Sequence, residues 1–542
     1  MGPHIIENVL KLLRPRLAVF ASLLLCAVLC ASSLAQAQTG DVKEPTGRVV
    51  LVLPFDNRSG QPNLNWIADS FPDTLNQRLS SAGFLTITRD DRLFALDHLG
   101  FPADFRPTRA TTIRIAQTLD ADFVVVGNFN VQNGRILVQA QVLEVNKLKL
   151  SPALDDSSEL ARLFDIENAV AWKIARQIDP QFAVAQQTFL SASQGVRLDA
   201  FENYIRGVGE TAPAQRIKFL SAAVAESPTY SAALLALGRQ QFADRQYDQA
   251  ASTLAKIPQT DRLALEAGFF RGLARFNEAK YAEAEAAFSF VATRLPLPEV
   301  VNNQGVAAAR QGRDGSALFQ RAVNADPNDA DFHYNLAVSS YRRGDFAAAH
   351  REIDATLKLK PSDGEAVALK NLIDAGRRAG SSNGVEPTER IRRTYSEASF
   401  RQAAFQLDQV RSLRLATLPP ASQAAEYSQL GRDYMNQGLL PEAEQEFQTA
   451  IKADPTGPLG HAGLAQVREQ SGNPEAARSE AEQSLQLKPN AAAYLVLARI
   501  DLQANKLSDA ADNVSKALHL EPTNPGAQGM RQALQARGQS VP

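Results

Sequence analysis

Proline recurs at intervals close to 34 residues, and that spacing constrains the chain more than any other feature. Pro455 and Pro489 are 34 apart, Pro522 lies 33 further on, and Pro327 and Pro361 are again 34 apart. Pro228 to Pro296 spans 68, two periods with Arg262 at the middle position. Between the prolines the same residue types return. Leu430-Gly431-x-x-Tyr434 precedes Ala443, Phe447, Ala450 and Pro455, while Leu464-Ala465 precedes Ala477, Ala481 and Pro489. Leu497-Ala498 precedes Ala510, Val514, Ala517 and Pro522. Leu336-Ala337 leads to Gly344-Asp345-Phe346, Ala349, Ile353 and Pro361, and Leu237-Gly238 leads to Ala250 and Leu254.

Leucine followed by glycine or alanine puts a small residue where two antiparallel helices touch, so their backbones can come close. An alanine answers from the second helix and an aromatic ring fills the groove beside it. Proline ends the second helix and sets the turn into the next unit. One such hairpin cannot bury its own apolar face, so the units have to stack. These residues resemble tetratricopeptide repeats. The resemblance implies an all-α solenoid whose first helices line a concave groove that holds other proteins. About eight hairpins cover residues 197–361 and 421–522. The unit ending at Pro327 is about two residues short near Gly312-Arg313-Asp314-Gly315, and the unit ending at Pro228 has Arg216 where the pattern has alanine.

The array is interrupted. Residues 376–390 include GRRAGSSNGVEP, a flexible linker by composition. Residues 391–420 read as an arginine-rich amphipathic helical connector without the repeat pattern. The expected organisation is a first block over 197–375, this linker and connector, a second block over 421–522, and a capping helix and tail over 523–542.

Residues 47–180 differ. Residues 48–55, RVVLVLPF, form a continuous aliphatic run, as in a strand buried on both faces. Leu64, Ile67, Ala68, Phe71, Leu75 and Leu79 then recur at helical spacing up to Gly83, with Pro72 inside. Residues 123–131 and 135–145 alternate around Gln132-Asn133-Gly134, a hairpin signal. A last helix carries Leu160, Leu163, Ile166, Val170, Ile174 and Ile178. Val52-Leu53-Pro54-Phe55-Asp56-Asn57, Trp66-Ile67-Ala68-Asp69 with Leu75, and residues 121–127 (ADFVVVG) resemble the amino-terminal domain of TolB and the TolB-like domains fused to repeat arrays. The resemblance implies a small α/β assembly module in a cell envelope. The expected fold class is therefore α/β plus all-α.

The first 37 residues read as a targeting segment. Lys11, Arg14 and Arg16 precede an apolar run over residues 17–29, and Ala35-Gln36-Ala37 offers a cleavage site before Gln38. An uncleaved anchor is the alternative, since residues 17–34 are just long enough to span a bilayer. Cys26 and Cys30 both lie in this segment, so the mature chain has no thiol for a disulfide, a metal or a nucleophile. Export to the periplasm or cell envelope is the expectation.

No residues suggest catalysis. His4, His98, His333, His350, His461 and His519 form no H-x-x-x-H or H-E-x-x-H cluster, and no G-x-S-x-G occurs. Gly60 stands without a phosphate-loop pattern. Asp90-Asp91 and Asp155-Asp156 read as turn residues. A net charge of −2, falling to about −4 without the targeting segment, excludes the basic bias of a nucleic-acid binder. No cofactor, metal or catalytic residue is expected.

Arginine follows the small packing residue at Arg239, Arg432 and Arg499, and lies one turn further on at Arg310 and Arg342. With Asn302, Tyr334 and Tyr341 these positions are expected along the inner face of the array, as a mildly cationic groove for acidic segments or a carboxy terminus. The plain alternative is arginine on a solvated helix face. An envelope adaptor is the leading expectation. A cell-wall or membrane organiser acting through the α/β domain, and the regulatory part of an enzyme system, are the competing ones.

Overall fold

The first strand of the sheet, β1 (Val49–Val52), sits between two parallel neighbours, β3 (Leu85–Thr86) and β4 (Phe123–Gln132). This computed structural model describes residues 48–102, 105, 107–191, 196–377, 379, 386–395 and 410–541. The targeting segment lies outside them, as do Gly380 to Val385 of the linker and residues 396–409 of the connector. Val50 and Val52 enter a cluster with helices Trp66–Ser81 and Leu163–Ile178, whereas Leu51 and Leu53 enter a second cluster with Leu96, Ile115 and Ala116. Helices thus cover both faces of β1, which is why its sequence is apolar without alternation.

Pro72 is accommodated inside helix Trp66–Ser81 because the acceptor it orphans is used elsewhere. Proline has no N–H for the carbonyl four residues back. That carbonyl, on Ala68, instead accepts the Phe55 amide at 3.0 Å and joins the end of β1 to the helix. Phe55 stacks on Phe71 at 4.1 Å and lies against Gly127, where a β-carbon would meet the Phe55 ring at 2.4 Å. Two of the three resemblance motifs, residues 52–57 and 121–127, are therefore packed against one another.

β4 and β5 (Arg135–Glu144) pair antiparallel through Asn133 and Gly134, whose φ angles of 52° and 74° are those of a type I′ turn. β6 (Lys149–Leu150) and β7 (Leu154–Glu159) extend the sheet on β5, and the short β2 (Asp56–Asn57) pairs with β4. Asp155 and Asp156 thus lie in a strand, not a turn, and Asp156 accepts from Lys173 at 2.9 Å. Asp90 and Asp91 occupy the first turn of helix Arg89–His98, where Asp91 completes a capping box with Thr88.

Eight helical hairpins follow among the described residues, five from Leu198–Gly209 to Phe346–Leu359 and three from Pro420–Asn436 to Leu507–Leu520. Single helices Gly364–Asp374 and Pro525–Ala536 close the two blocks. The small-residue positions are close approaches. A β-carbon on Gly272 would come within 2.6 Å of the Phe288 ring, and one on Gly431 within 2.8 Å of Phe447. Gly272→Val is expected to destabilise its hairpin by about 1–3 kcal/mol through overpacking. Faster amide hydrogen exchange confined to residues 264–292 and the adjoining helices would register it, and unchanged exchange there would refute the packing account.

In the short unit, Gly315 lies against the Gly305 carbonyl, where a β-carbon would sit 2.8 Å away, so the shorter turn is absorbed by close backbone packing. Arg216 replaces packing with capping: its Nε and Nη2 donate to the Glu210 carbonyl just past helix Leu198–Gly209.

Both blocks rest on the α/β domain. Phe201, Tyr204, Leu220 and Leu237 of the first repeats belong to the same core cluster as Val50 and Ile67. Tyr204 donates to half-buried Asp73 at 2.9 Å. From the second block, Glu444 accepts from the Ala185 amide at 2.8 Å, from Thr188 Oγ1 at 2.5 Å and from Arg468, while Gln445 donates to the Ser81 carbonyl at 2.6 Å.

Candidate peptide-binding groove

Three helices, Pro298–Ala309, Ala330–Arg342 and Gly364–Asp374, present their inner faces to a stretch of the same chain, residues 386–395. Those residues belong to no helix or strand. Asn335 pairs with one residue of the stretch through both backbone groups: its Nδ2 donates to the Arg390 carbonyl at 2.8 Å and its Oδ1 accepts the Arg390 amide at 2.6 Å. Asn303 does the same for Arg392, at 2.7 Å in each direction. Asn302 Nδ2 adds a bond of 3.2 Å to the Arg390 carbonyl, and its Oδ1 accepts from Asn335 at 2.7 Å. All three asparagines are fully buried. A planar amide with one acceptor and two donors matches the backbone of an extended chain, and bonds to every second residue reproduce the period of a strand.

Charges set the register. Arg342 Nη1 donates to Glu389 Oε1 at 2.6 Å and Nη2 to the Pro387 carbonyl at 2.9 Å, and Arg310 donates to the Glu389 carbonyl at 3.1 Å. Arg390 meets Asp331 at 2.9 Å, Asp363 at 2.7 Å and Glu365 at 2.7 Å, with its guanidinium 3.7 Å above the Tyr334 ring. Burial opposes the Arg390 charge, but the hydrogen bonds from Asp363, Asp331 and Glu365 outweigh it and hold its pKa above the ordinary value. Burial pushes the Tyr334 phenol up to about 12, so the ring under the guanidinium stays neutral. Arg392 pairs with Asp329 and Asp331. Asp329 and Asp363 each also cap the helix that follows, so helix starts deliver carboxylates to the groove. Ile391 packs among apolar residues of both flanking clusters, and Tyr395 meets Phe269 edge-on at 4.9 Å.

The sequence-predicted positions divide into two groups. Asn302, Arg310, Tyr334 and Arg342 converge on residues 386–395. Tyr341 is buried among Ala349 and Ile353 and does not line an open surface. Arg239 pairs with Glu266 at 3.0 Å and reaches Asp90 of the α/β domain at 3.6 Å. Arg432 hydrogen-bonds Gln429 of its own helix, and Arg499 forms a forked pair with Glu469. These three make no contact with the seated segment among the described interactions. The groove is not mildly cationic throughout: Arg310 and Arg342 hold one end of the segment and carboxylates hold the other. Residues 386–390, read as part of a flexible linker, are seated, and 391–395, read as the start of a helical connector, belong to no helix. Asn303, Asn335, Asp331, Asp363 and Glu365 were not anticipated. The recurrence of Asn302 and Asn335 at repeat spacing is the signal that would have found the asparagine ladder.

A tetratricopeptide-repeat family model matches residues 269–330, 428–492 and 463–525, and the model of the Fis1 C-terminal tetratricopeptide repeat matches 330–376. The matched hairpins, within residues 269–376 and 428–525, are tetratricopeptide repeats. No curated relative matches. Among solved structures, the chain is similar to YrrB, a tetratricopeptide-repeat protein described as having an unusual peptide-binding site, at 16% identity over 38% of this chain and 100% of that one, TM-score 0.29. A tetratricopeptide-repeat protein from Parabacteroides merdae matches at 11% identity over 64% of this chain and 99% of its own, TM-score 0.22. The LpoB C-terminal domain from Salmonella enterica matches at 23% identity over 21% of this chain and 83% of its own, TM-score 0.19. Tetratricopeptide repeats support a protein-interaction scaffold with protein partners. Among the described residues no cluster of three or more His, Cys, Asp or Glu is placed to hold a metal ion, and no helix is long and apolar enough to cross a membrane.

Proposed function

We propose that this chain is an exported, non-enzymatic adaptor of a bacterial cell envelope. In this reading the first repeat block grips an extended segment of a partner protein and the α/β domain docks the array to a larger assembly. The observation that carries the gripping role is the asparagine ladder: Asn303 and Asn335 each bind one residue's amide and carbonyl, and that recognises extended backbone regardless of side chain. Export is supported by the basic, apolar and small-residue order of the first 37 residues and by the confinement of both cysteines to them. The TolB-like motifs, with Phe55 packed on Gly127, support the docking role.

One experiment addresses both halves. Fractionation of cells producing the full chain, with amino-terminal sequencing, is expected to recover a mature form beginning at Gln38 in the envelope fraction. In-situ cross-linking there should capture envelope proteins, with recovery reduced in the Asn303→Ala/Asn335→Ala chain. An intact amino terminus in the soluble cytoplasmic fraction would defeat the export reading, and cross-links indifferent to the asparagines would defeat the gripping role.

A further inference from the structure

We propose that residues 386–395 are an internal competitor for the groove of the first block. The groove takes in their place an extended segment of a partner protein that carries an acidic residue followed by arginine, an aliphatic residue and a second arginine. The proposal rests on the scaffold reading above and names the chemistry of the partner. The asparagine bonds are indifferent to sequence, since any extended chain offers the same amides and carbonyls. Selectivity comes from the charges. Arg342 requires a carboxylate at the place of Glu389, and Asp331, Asp363 and Glu365 require a guanidinium at the place of Arg390. Asp329 and Asp331 require another two residues on, at Arg392. The forked, multi-carboxylate seat of Arg390 above the Tyr334 ring suits the planar guanidinium better than an ammonium.

The fit of the internal segment is incomplete. Glu389 Oε2 and Arg392 Nε on the segment are buried without a hydrogen-bond partner, as is Glu299 Oε2 on the groove helix Pro298–Ala309. Each such atom weakens the seated state. A tethered segment tolerates this, because its effective concentration at the groove is in the millimolar range. A partner that leaves fewer such atoms unsatisfied in the groove displaces it. A cleft bounded by Asp331, Lys360, Ser362, Asp363 and Glu365 continues beside Arg390 and leaves room for further residues of such a partner.

The test uses the full chain and a fluorescein-labelled peptide of residues 386–395, read by fluorescence anisotropy. The Arg390→Ala/Arg392→Ala chain, whose own segment is weakened, is expected to bind the probe at least tenfold more tightly than the natural chain. Adding Asn303→Ala/Asn335→Ala to it should reduce binding at least tenfold again. Equal binding by the first two chains, or binding that ignores the asparagines, overturns the proposal. Should the arginine variant lose helical circular dichroism, the natural chain decides: millimolar unlabelled peptide must accelerate hydrogen exchange at the Arg390 and Arg392 amides, and unchanged exchange overturns the idea. Dimers of the natural chain in light scattering, absent from the arginine variant, would make a second copy the occupant and overturn the assignment to a partner protein. Envelope cross-links that persist while the probe fails would sink this inference alone and leave the scaffold reading standing.

Discussion

Arg390→Glu is expected to expel residues 386–395 from the groove and to raise hydrogen exchange at the Arg390 and Arg392 amides about a hundredfold. Those amides are protected by Asn335 Oδ1 at 2.6 Å and Asn303 Oδ1 at 2.7 Å. The guanidinium is largely covered, with 18% of the side chain exposed, and it neutralises Asp331 and the almost fully buried Asp363. Reversal leaves those carboxylates facing a third. Breaking one partner of a buried pair costs about 3–5 kcal/mol, and the lower end applies because Glu365 is exposed to solvent. About 3 kcal/mol corresponds to roughly two decades in an opening equilibrium. Arg393, on the exposed side of the same segment, supplies the control. Arg393→Glu should leave exchange within a few-fold of the natural chain, as surface changes do. Equal protection in the two variants would mean that Arg390 does not hold the segment.

Glu167→Gln is expected to abolish most of a pH-dependent loss of stability in the α/β domain between pH 5 and 9. Glu167 is fully buried, and burial pushes its carboxyl from 4.5 up to about 8. The hydrogen bonding agrees with a protonated acid at neutral pH. Ser70 Oγ lies 2.9 Å from the Ile67 carbonyl and 2.5 Å from Glu167 Oε1, and it has one proton for two acceptors. A proton on the carboxyl, donated to Ser70, resolves the conflict. A folded-state pKa raised above the unfolded value gives stability that is complete below pH 4.5 and is lost as pH rises through 8. The full loss is on the order of 5 kcal/mol. The two tryptophans of the chain, Trp66 and Trp172, both lie in this domain, so their fluorescence follows its unfolding. The denaturation midpoint should fall with pH in the natural chain and stay nearly flat in the glutamine variant. Parallel pH profiles would show that Glu167 ionises without penalty.

Repetition and local chemistry explain which features were legible in the sequence. Each repeat restates the same packing problem, so Leu237-Gly238, Leu336-Ala337 and Leu430-Gly431 announce helix pairs that the structure contains. Asn133-Gly134 reports its turn because almost nothing else adopts those angles easily. β7 was not legible: its LDDSSE sequence has no apolar alternation and becomes a strand because β5 offers a free edge. The groove was half legible. Arginine stands out in a helix, whereas a buried asparagine has no local signature and gains meaning only from the backbone it faces. The composition of residues 376–390, which suggests a linker, carries no information about the complementary surface that captures residues 386–395.

Fastening both repeat blocks to one α/β domain has a mechanical consequence. Glu444 and Gln445 in the second block and Tyr204 in the first are hundreds of positions apart in the chain, yet they bear on the same support. An open solenoid stretches like a spring, each unit yielding a little to a pull on its ends. Here a pull on either block loads the sheet domain directly, as in a braced truss, and the groove can release its segment without the second block drifting away from the first.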